Sequence, residues 1–192
     1  EVLKGADMVF ITAGEGGGTG TGASPVIAEI AKELGILTIA IVTKPFSFEG
    51  AQRAFLAQEG ITKLRERVDT LITVPNDRIF SVINKDTSLI KAFEAIDEIL
   101  KNAVLGITEL IMFPGIVNVD FADVKTIMAE AGSAIIGFGI AGGQERAVRA
   151  DNLAINSPLL EATIDGAKGV LFSVSGHRDL KMNEINEVAK LI

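Results

Sequence analysis

A run of small residues at 14–22, with the sequence GEGGGTGTG, is the segment whose residue types are best suited to bind a ligand. It lies between an apolar segment at 8–11 and a helical pattern that starts near residue 23. A glycine loop between a strand and a helix lets backbone N–H groups reach phosphate oxygens, and the positive end of the helix dipole favours the anion. We therefore predict that a phosphate chain is bound by Gly16, Gly17, Gly18, Thr19, Gly20, Thr21 and Gly22.

Two common phosphate motifs fit this loop poorly. A Walker loop ends in Gly-Lys-Ser/Thr, but Ala23 follows Gly22 here, which excludes a standard P-loop NTPase. The dinucleotide fingerprint G-x-G-x-x-G/A is present formally at 18–23, but it also needs an acidic residue at the end of the next strand, where the chain has Thr43-Lys44. A nicotinamide-dependent oxidoreductase therefore stays open as an alternative, as does an inert interaction module in which the loop binds nothing.

Polar side chains follow two further predicted strands. Glu49 and Arg53 lie four residues apart at the start of a helix, and Asn76 comes directly after the third strand. Open parallel sheets bind ligands at the carboxyl ends of their strands, which makes all three side chains candidates for the same site. The alternative for Glu49 and Arg53 is a surface ion pair worth only ~0.3–0.5 kcal/mol.

A second acidic group lies much later in the chain, where Asn118, Asp120 and Asp123 precede or begin a predicted helix. A spacing of three places the two carboxylates on one side of the first helical turn. Helix capping explains such a pattern by itself, because Asp is favoured at the N-cap and in the first turn. Spacing alone therefore leaves both capping and catalysis open for this group.

The composition excludes several classes of function. The formal net charge of −7 and the absence of a basic cluster argue against nucleic-acid binding. No apolar run reaches the ~18 residues of a membrane span, and the first residues do not form a signal peptide. The absence of Cys excludes disulfides and thiolate metal sites, so we expect no metal site built by the protein alone and a cytoplasmic location.

Strand and helix patterns alternate along the chain and predict an α/β fold with a parallel, Rossmann-like sheet. Strands are expected near 8–12, 36–42 and 70–74, with helices between them; the first helix has Val26, Ile30 and Leu34 as its apolar face and Pro25 near its start. A long helix is expected from Ser88 to Met112, ended by Phe113-Pro114-Gly115. A second series follows, with helices at 121–131, 144–155 and 183–191 and strands at 133–140 and 169–175.

The glycine loop resembles the tubulin/FtsZ family, whose signature G-G-T-G-S/T-G is met at 17–22. The resemblance continues at 43–50 (TKPFSFEG) with Arg53, at 75–77 (PND) and at 118–124 (NVDFADV), in the order and spacing of the bacterial cell-division members. It covers essentially the whole chain.

The resemblance implies a GTP-binding, GTP-hydrolysing cytoskeletal protein that polymerises head to tail into the filaments of the bacterial division ring. Glu49 and Arg53 would contact the ribose and phosphates, and Asn76 would belong to the same nucleotide site at the edge of the sheet. Asp97 would recognise guanine, whose ring N–H and exocyclic amine both donate to a carboxylate. Asp120 and Asp123, with Asn118, would act on the nucleotide of the neighbouring subunit. GTP or GDP with Mg²⁺ is the implied ligand, copies of the same chain and division-protein adaptors are the implied partners, and the cytoplasmic division site is the implied location.

The resemblance also implies a division of the chain into three parts. Residues 1–87 would form the C-terminal part of the nucleotide-binding domain, 88–113 the central connecting helix, and 114–192 the loop with the catalytic Asp residues and the first part of a second α+β domain. We expect further βα units before residue 1 and more of the second domain after residue 192. Missing neighbours and a mean hydropathy of +0.39 predict an exposed apolar patch.

Overall fold

A four-stranded parallel sheet organises the chain in the computed structural model, which describes residues 1–84, 86–113 and 115–192. Its strands are β1 (Met8–Gly14), β2 (Leu37–Lys44), β3 (Thr70–Pro75) and β4 (Gly132–Ala134), in the spatial order β1-β2-β3-β4. Ile39 of β2 lies opposite Phe10 on one side and Thr70 on the other, and Thr70 in turn lies opposite Gly132. The predicted α/β fold with a parallel sheet is confirmed.

Six α-helices are described: α1 (Thr19–Glu33), α2 (Ala51–Arg65), α3 (Leu89–Met112), α4 (Phe121–Met128), α5 (Arg146–Ile155) and α6 (Met182–Leu191). Short 3₁₀ helices at Ser47–Glu49 and Asn76–Ser81 follow β2 and β3. The predicted long helix is confirmed, and Ser88 caps it by accepting a hydrogen bond from the backbone N of Lys91 at 3.4 Å. Pro114, which we expected to help end this helix, lies outside the described residues.

The two faces of the sheet are covered by different helices. Residues of α1 and α2, among them Ala28, Ile61 and Leu64, pack on one face. Ala103 and Ile107 of α3 and Val124 of α4 pack on the other. β2 is therefore buried on both faces, which explains why residues 39–42 in its centre are continuously apolar instead of alternating.

The first helix differs from the sequence prediction in two ways. It begins within the glycine loop at Thr19, so Pro25 lies inside the helix and not near its start. The expected buried face, Val26, Ile30 and Leu34, is about half exposed, while Ala28 is fully buried. Small side chains let α1 approach the sheet closely, and this leaves the larger residues outside as an exposed apolar stripe.

The second half of the chain contains less sheet than its sequence indicates. The strand expected at 133–140 is a strand only at Gly132–Ala134, and the segment 169–175 belongs to no strand among the described residues. A strand needs a neighbouring strand that pairs with its backbone N–H and C=O groups, and an apolar sequence pattern does not by itself provide that neighbour. The three helices expected here are confirmed, as α4, α5 and α6.

Candidate nucleotide site and acidic loop

The glycine loop passes directly from β1 into α1. Gly18 is the N-cap residue, and no side chain caps the helix. The first backbone N–H groups of α1 therefore lack side-chain acceptors, as a helix end that binds an anion requires. The Thr21 hydroxyl shapes the loop by accepting a hydrogen bond from the backbone N of Gly16 at 2.8 Å.

Two of the loop glycines are fixed by close contacts. A Cβ atom at Gly20 would lie 2.5 Å from the backbone O of Gly14, so only glycine lets α1 start this close to the end of β1. Gly16 has a φ of +100°, and a Cβ there would lie 2.8 Å from the backbone O of Arg53. The loop and the start of α2 are thus in contact, which brings the predicted residue Arg53 beside the predicted phosphate cradle.

Glu49 and Arg53 form the ion pair that their spacing allows, with 2.7 Å between Glu49 Oε2 and Arg53 Nη1. The other oxygen of Glu49 accepts a hydrogen bond from the backbone N of Phe46 at 2.8 Å. Only 15% of the Glu49 side chain is exposed, compared with 52% for Arg53. In this arrangement Glu49 orients the loop and the arginine, and Arg53 is the member of the pair that reaches solvent.

Asn76 is buried at the end of β3, and its Oδ1 atom has no hydrogen-bond partner among the described residues. Beside it, Asp77 holds the loop that follows β2. Its Oδ1 accepts from the backbone N of Ser47 at 3.0 Å, and its Oδ2 accepts from the Ser47 hydroxyl. Sequence reasoning placed Asp77 in a motif but gave it no role; only contacts between the two loops identify one.

A cluster of phenylalanines lies at the same end of the sheet. The ring of Phe46 stacks on Phe48 with 4.8 Å between centroids and meets Phe93 edge-on at 5.2 Å. Phe93 is 41% exposed and lies one helical turn before the exposed Asp97 on α3. Sequence reasoning did not find this cluster, because its members lie on separate elements that meet only in the folded chain.

The acidic group at 118–123 caps α4. The backbone N of Asp123 donates to Asp120 Oδ1 at 2.9 Å, and the backbone N of Asp120 donates to Asp123 Oδ2 at 3.2 Å. This reciprocal pair is a capping box, so the capping explanation holds for both residues. Asn118 orients the preceding turn, because its Oδ1 accepts from the backbone N of Gly115 at 2.6 Å.

The acidic group and the glycine loop are separated by the length of α3. Ile96, in the first half of α3, packs with Phe46 and Ile79 at the carboxyl ends of the strands. Ile107, in its second half, packs with Val124 of α4, which follows the acidic loop. A helix of 24 residues spans roughly 36 Å at ~1.5 Å per residue. The structure therefore brings Arg53 and the glycine loop together but keeps Asp120 and Asp123 away from them.

Two segments of the chain match known protein families. The profile of the Tubulin/FtsZ family GTPase domain matches residues 1–84, and that of the FtsZ family C-terminal domain matches residues 132–192. The chain belongs to the tubulin/FtsZ family.

Solved structures of FtsZ match nearly the whole chain. An empty FtsZ dimer from M. jannaschii is 48% identical over 99% of this chain and 55% of its own length, with a TM-score of 0.92. A point mutant of FtsZ from M. jannaschii is also 48% identical over 99% of this chain, covers 57% of its own length and has a TM-score of 0.93. CetZ2 from Haloferax volcanii, described as a GTPγS-bound protofilament, is 25% identical over 78% of this chain and 43% of its own, with a TM-score of 0.61. The chain thus spans a little over half the length of the FtsZ structures that it matches.

Among the described residues, no three His, Cys, Asp or Glu side chains lie close enough to hold a metal ion together. No helix in the described ranges is long and apolar enough to cross a bilayer.

Proposed function

We propose that this chain is the part of an FtsZ-like GTPase that carries both halves of a shared active site. The observation that supports this most is the placement of the uncapped glycine loop and the Asp120–Asp123 pair toward opposite ends of α3. Neither half can complete the other within one chain. A head-to-tail contact between copies joins them, and because such a contact does not close on itself it generates a filament.

In this proposal the loop amides and Arg53 bind the phosphates of GTP. The geometry fits such a ligand, because the start of α1 is uncapped and Gly20 keeps the backbone free of a Cβ. The exposed ring of Phe93 offers a stacking surface for the base, and Asp97 accepts the two donors of guanine. Asn76 contributes the buried amide whose oxygen has no partner among the described residues.

Asp120 and Asp123, with Asn118, act on the nucleotide held by the next copy, where their carboxylates orient the attacking water. Both have one oxygen in the capping box, which fixes their direction at the start of α4. Self-association is supported by the relatives, since the printed descriptions include an FtsZ dimer and a CetZ2 protofilament. Mg²⁺ would be held chiefly by the phosphates, as is usual for this ion, and would neutralise part of their charge.

The cellular role forms the wider part of the proposal. We propose that the filaments belong to a cell-division ring at the cytoplasmic division site, linked to it by adaptor proteins. The matching FtsZ structures come from an archaeon, M. jannaschii, so this proposal is not restricted to bacteria. The division into parts at 1–87, 88–113 and 114–192 also stays a prediction.

A mixing experiment tests the shared site. It uses the full-length protein, meaning this chain extended to the length of its FtsZ relatives, in two inactive forms: Gly20→Ala, which blocks the pocket, and Asp120→Ala, which removes the acidic group. Each variant alone should turn over little GTP. An equal mixture should regain about a quarter of wild-type turnover. Only the Asp120→Ala copies, which are half of the total, have an intact pocket, and in a random head-to-tail polymer half of these pockets face the intact acidic loop of a Gly20→Ala copy.

A mixture no more active than the two separate variants would contradict the shared site. Calorimetry with GTP, ATP and NADH separates the remaining alternatives. NADH binding without GTP binding would favour the oxidoreductase, although β2 ends in Lys44 and not in the acidic residue that such an enzyme needs. No binding of any of the three would favour the inert interaction module.

A further inference from the structure

Glu15, the second residue of the glycine loop at 14–22, is a buried acidic residue. Its relative exposure is 4%, and neither carboxyl oxygen has a hydrogen-bond partner among the described residues. Its backbone N donates to the backbone O of Thr43 at 3.0 Å, which continues the pairing of β1 with β2 and fixes where the side chain starts. A carboxyl group without partners is costly to bury, so its position calls for an explanation.

Contacts with α2 show how the side chain is accommodated. A Cβ atom at Gly60 would lie 2.5 Å from Glu15 Oε2 and 2.5 Å from Thr21 Cγ2, so the absence of a side chain at residue 60 makes the space that the carboxyl fills. At the next residue, Gly16, the glycine belongs to the loop and the neighbouring atoms belong to α2. A Cβ atom there would lie 2.8 Å from the backbone O of Arg53 and 2.9 Å from its Cγ. The loop and α2 therefore interlock at two neighbouring points, each with a glycine on one side.

We propose that Glu15 is a positioning residue, whose buried carboxyl, seated against Gly60, holds the glycine loop and Arg53 at the separation that phosphate binding requires. The inference rests on the proposed function, because it concerns how the same pocket is kept in shape. It gives a role to a side chain that makes no direct contact with the nucleotide in the proposal above.

The charged groups around Glu15 do not compensate a negative charge on it. On α2 they are Arg53, which is paired with Glu49, and the exposed Glu59; the first turn of α1 has none. At the end of β2, Lys44 is bound to Glu161. Burial accordingly raises the pKa of Glu15, with the nearby Thr21 hydroxyl only partly opposing the rise.

Ionisation would act on phosphate binding in two ways. The charged carboxylate would be drawn toward water, which pulls Gly16 away from Arg53, and it would add a negative charge beside the phosphates. For an acid whose pKa is raised by folding, the favourable contribution is present at low pH and is lost as the pH rises through the raised pKa. GTP affinity should therefore fall with rising pH to an extent that depends on Glu15.

The test compares GTP dissociation constants of full-length wild type and Glu15→Gln from pH 5 to pH 9. Gln has the same size as Glu and no charge. The pH dependence of the dissociation constant of Glu15→Gln therefore reports only the titration of the nucleotide and of other protein groups. The ratio of the wild-type to the variant constant should increase with pH, with a slope of at most about tenfold per pH unit for a single proton. Glu59→Gln, which removes a neighbouring exposed acid of α2, is the matched control and should follow wild type.

A second variant approaches the same contact from the other side. Gly60→Ala places a methyl group where the carboxyl lies and should weaken GTP binding by about tenfold at every pH, the size of a typical overpacking effect. Parallel pH curves for wild type and Glu15→Gln, or an unchanged constant for Gly60→Ala, would overturn the inference while leaving the GTPase proposal intact. A wild-type protein that binds no GTP at any pH would overturn both.

Discussion

Replacing Asp120 separates the two roles that its position allows. Asp120 Oδ1 accepts the backbone N–H of Asp123 at 2.9 Å, so an Asp120→Ala variant loses the N-cap of α4. Such a loss costs about 1 kcal/mol of unfolding free energy, within a range of ~0.5–2. For a domain of this size the melting temperature should then fall by roughly 2–4 °C.

Asn is as good an N-cap residue as Asp, and its side-chain oxygen can accept the same hydrogen bond. Asp120→Asn should therefore melt within about 1 °C of wild type, since only a few tenths of a kcal/mol of helix-dipole interaction are lost. If the carboxylate orients the attacking water of the neighbouring copy, both variants should lose turnover by ~10²–10⁴-fold, because the amide cannot replace the charge.

The assays are thermal unfolding of this chain and GTP turnover of the full-length protein at several concentrations, together with the GTP dissociation constant. The constant should stay near wild type for both variants, because Asp120 lies far from the glycine loop of its own chain. Wild-type turnover in Asp120→Asn would refute the catalytic role and leave only capping. A turnover rate per subunit that is independent of protein concentration would refute the requirement for a neighbour.

Two further predictions concern packing and pH. Gly20→Ala should abolish GTP binding in calorimetry, because its Cβ would lie 2.5 Å from the backbone O of Gly14. Gly142→Ala, whose Cβ meets nothing within 4 Å and which lies outside the candidate site, should bind normally; equal effects of the two changes would contradict the steric argument. Arg146 lowers the pKa of Glu184 from 4.5 to about 2, so this contact stabilises the fold above pH 4.5 and is lost as the pH falls toward 2. Glu184→Gln should therefore reduce the difference in melting temperature between pH 6 and pH 3, and an unchanged difference would count against this ion pair as a source of acid sensitivity.

Local sequence patterns were sufficient for the elements that are apolar on both faces or strongly periodic. β2 and α3 were predicted almost to their ends, because a buried central strand and a long amphipathic helix each have a clear signal. The same reasoning failed for α1, where an apparent apolar face at Val26, Ile30 and Leu34 is about half exposed. Periodicity shows that a helix has an apolar side, but which side meets the sheet depends on how closely the helix packs.

The candidate site divides in the same way. Its glycine loop is a continuous segment, so residue types and order were enough to predict a phosphate cradle at the start of a helix. Asp77 contacts Ser47 and Phe93 contacts Phe46, and both partners are distant in sequence. No sequence pattern connects the members of either pair. Glu15 is an extreme case, because its burial depends on Gly60, 45 positions along the chain, having no side chain.

The sequence by itself determined the type of fold, the place of the glycine loop between a strand and a helix, and the family, because these depend on the order of neighbouring residues. Only the tertiary structure decided which polar groups meet. It placed Arg53 against the glycine loop, set Glu49 as the partner of Arg53, and put Asp120 toward the far end of α3. The physical reason is that backbone propensities act over a few residues, whereas the burial and pairing of a polar side chain are fixed by elements that become neighbours only when the chain has folded.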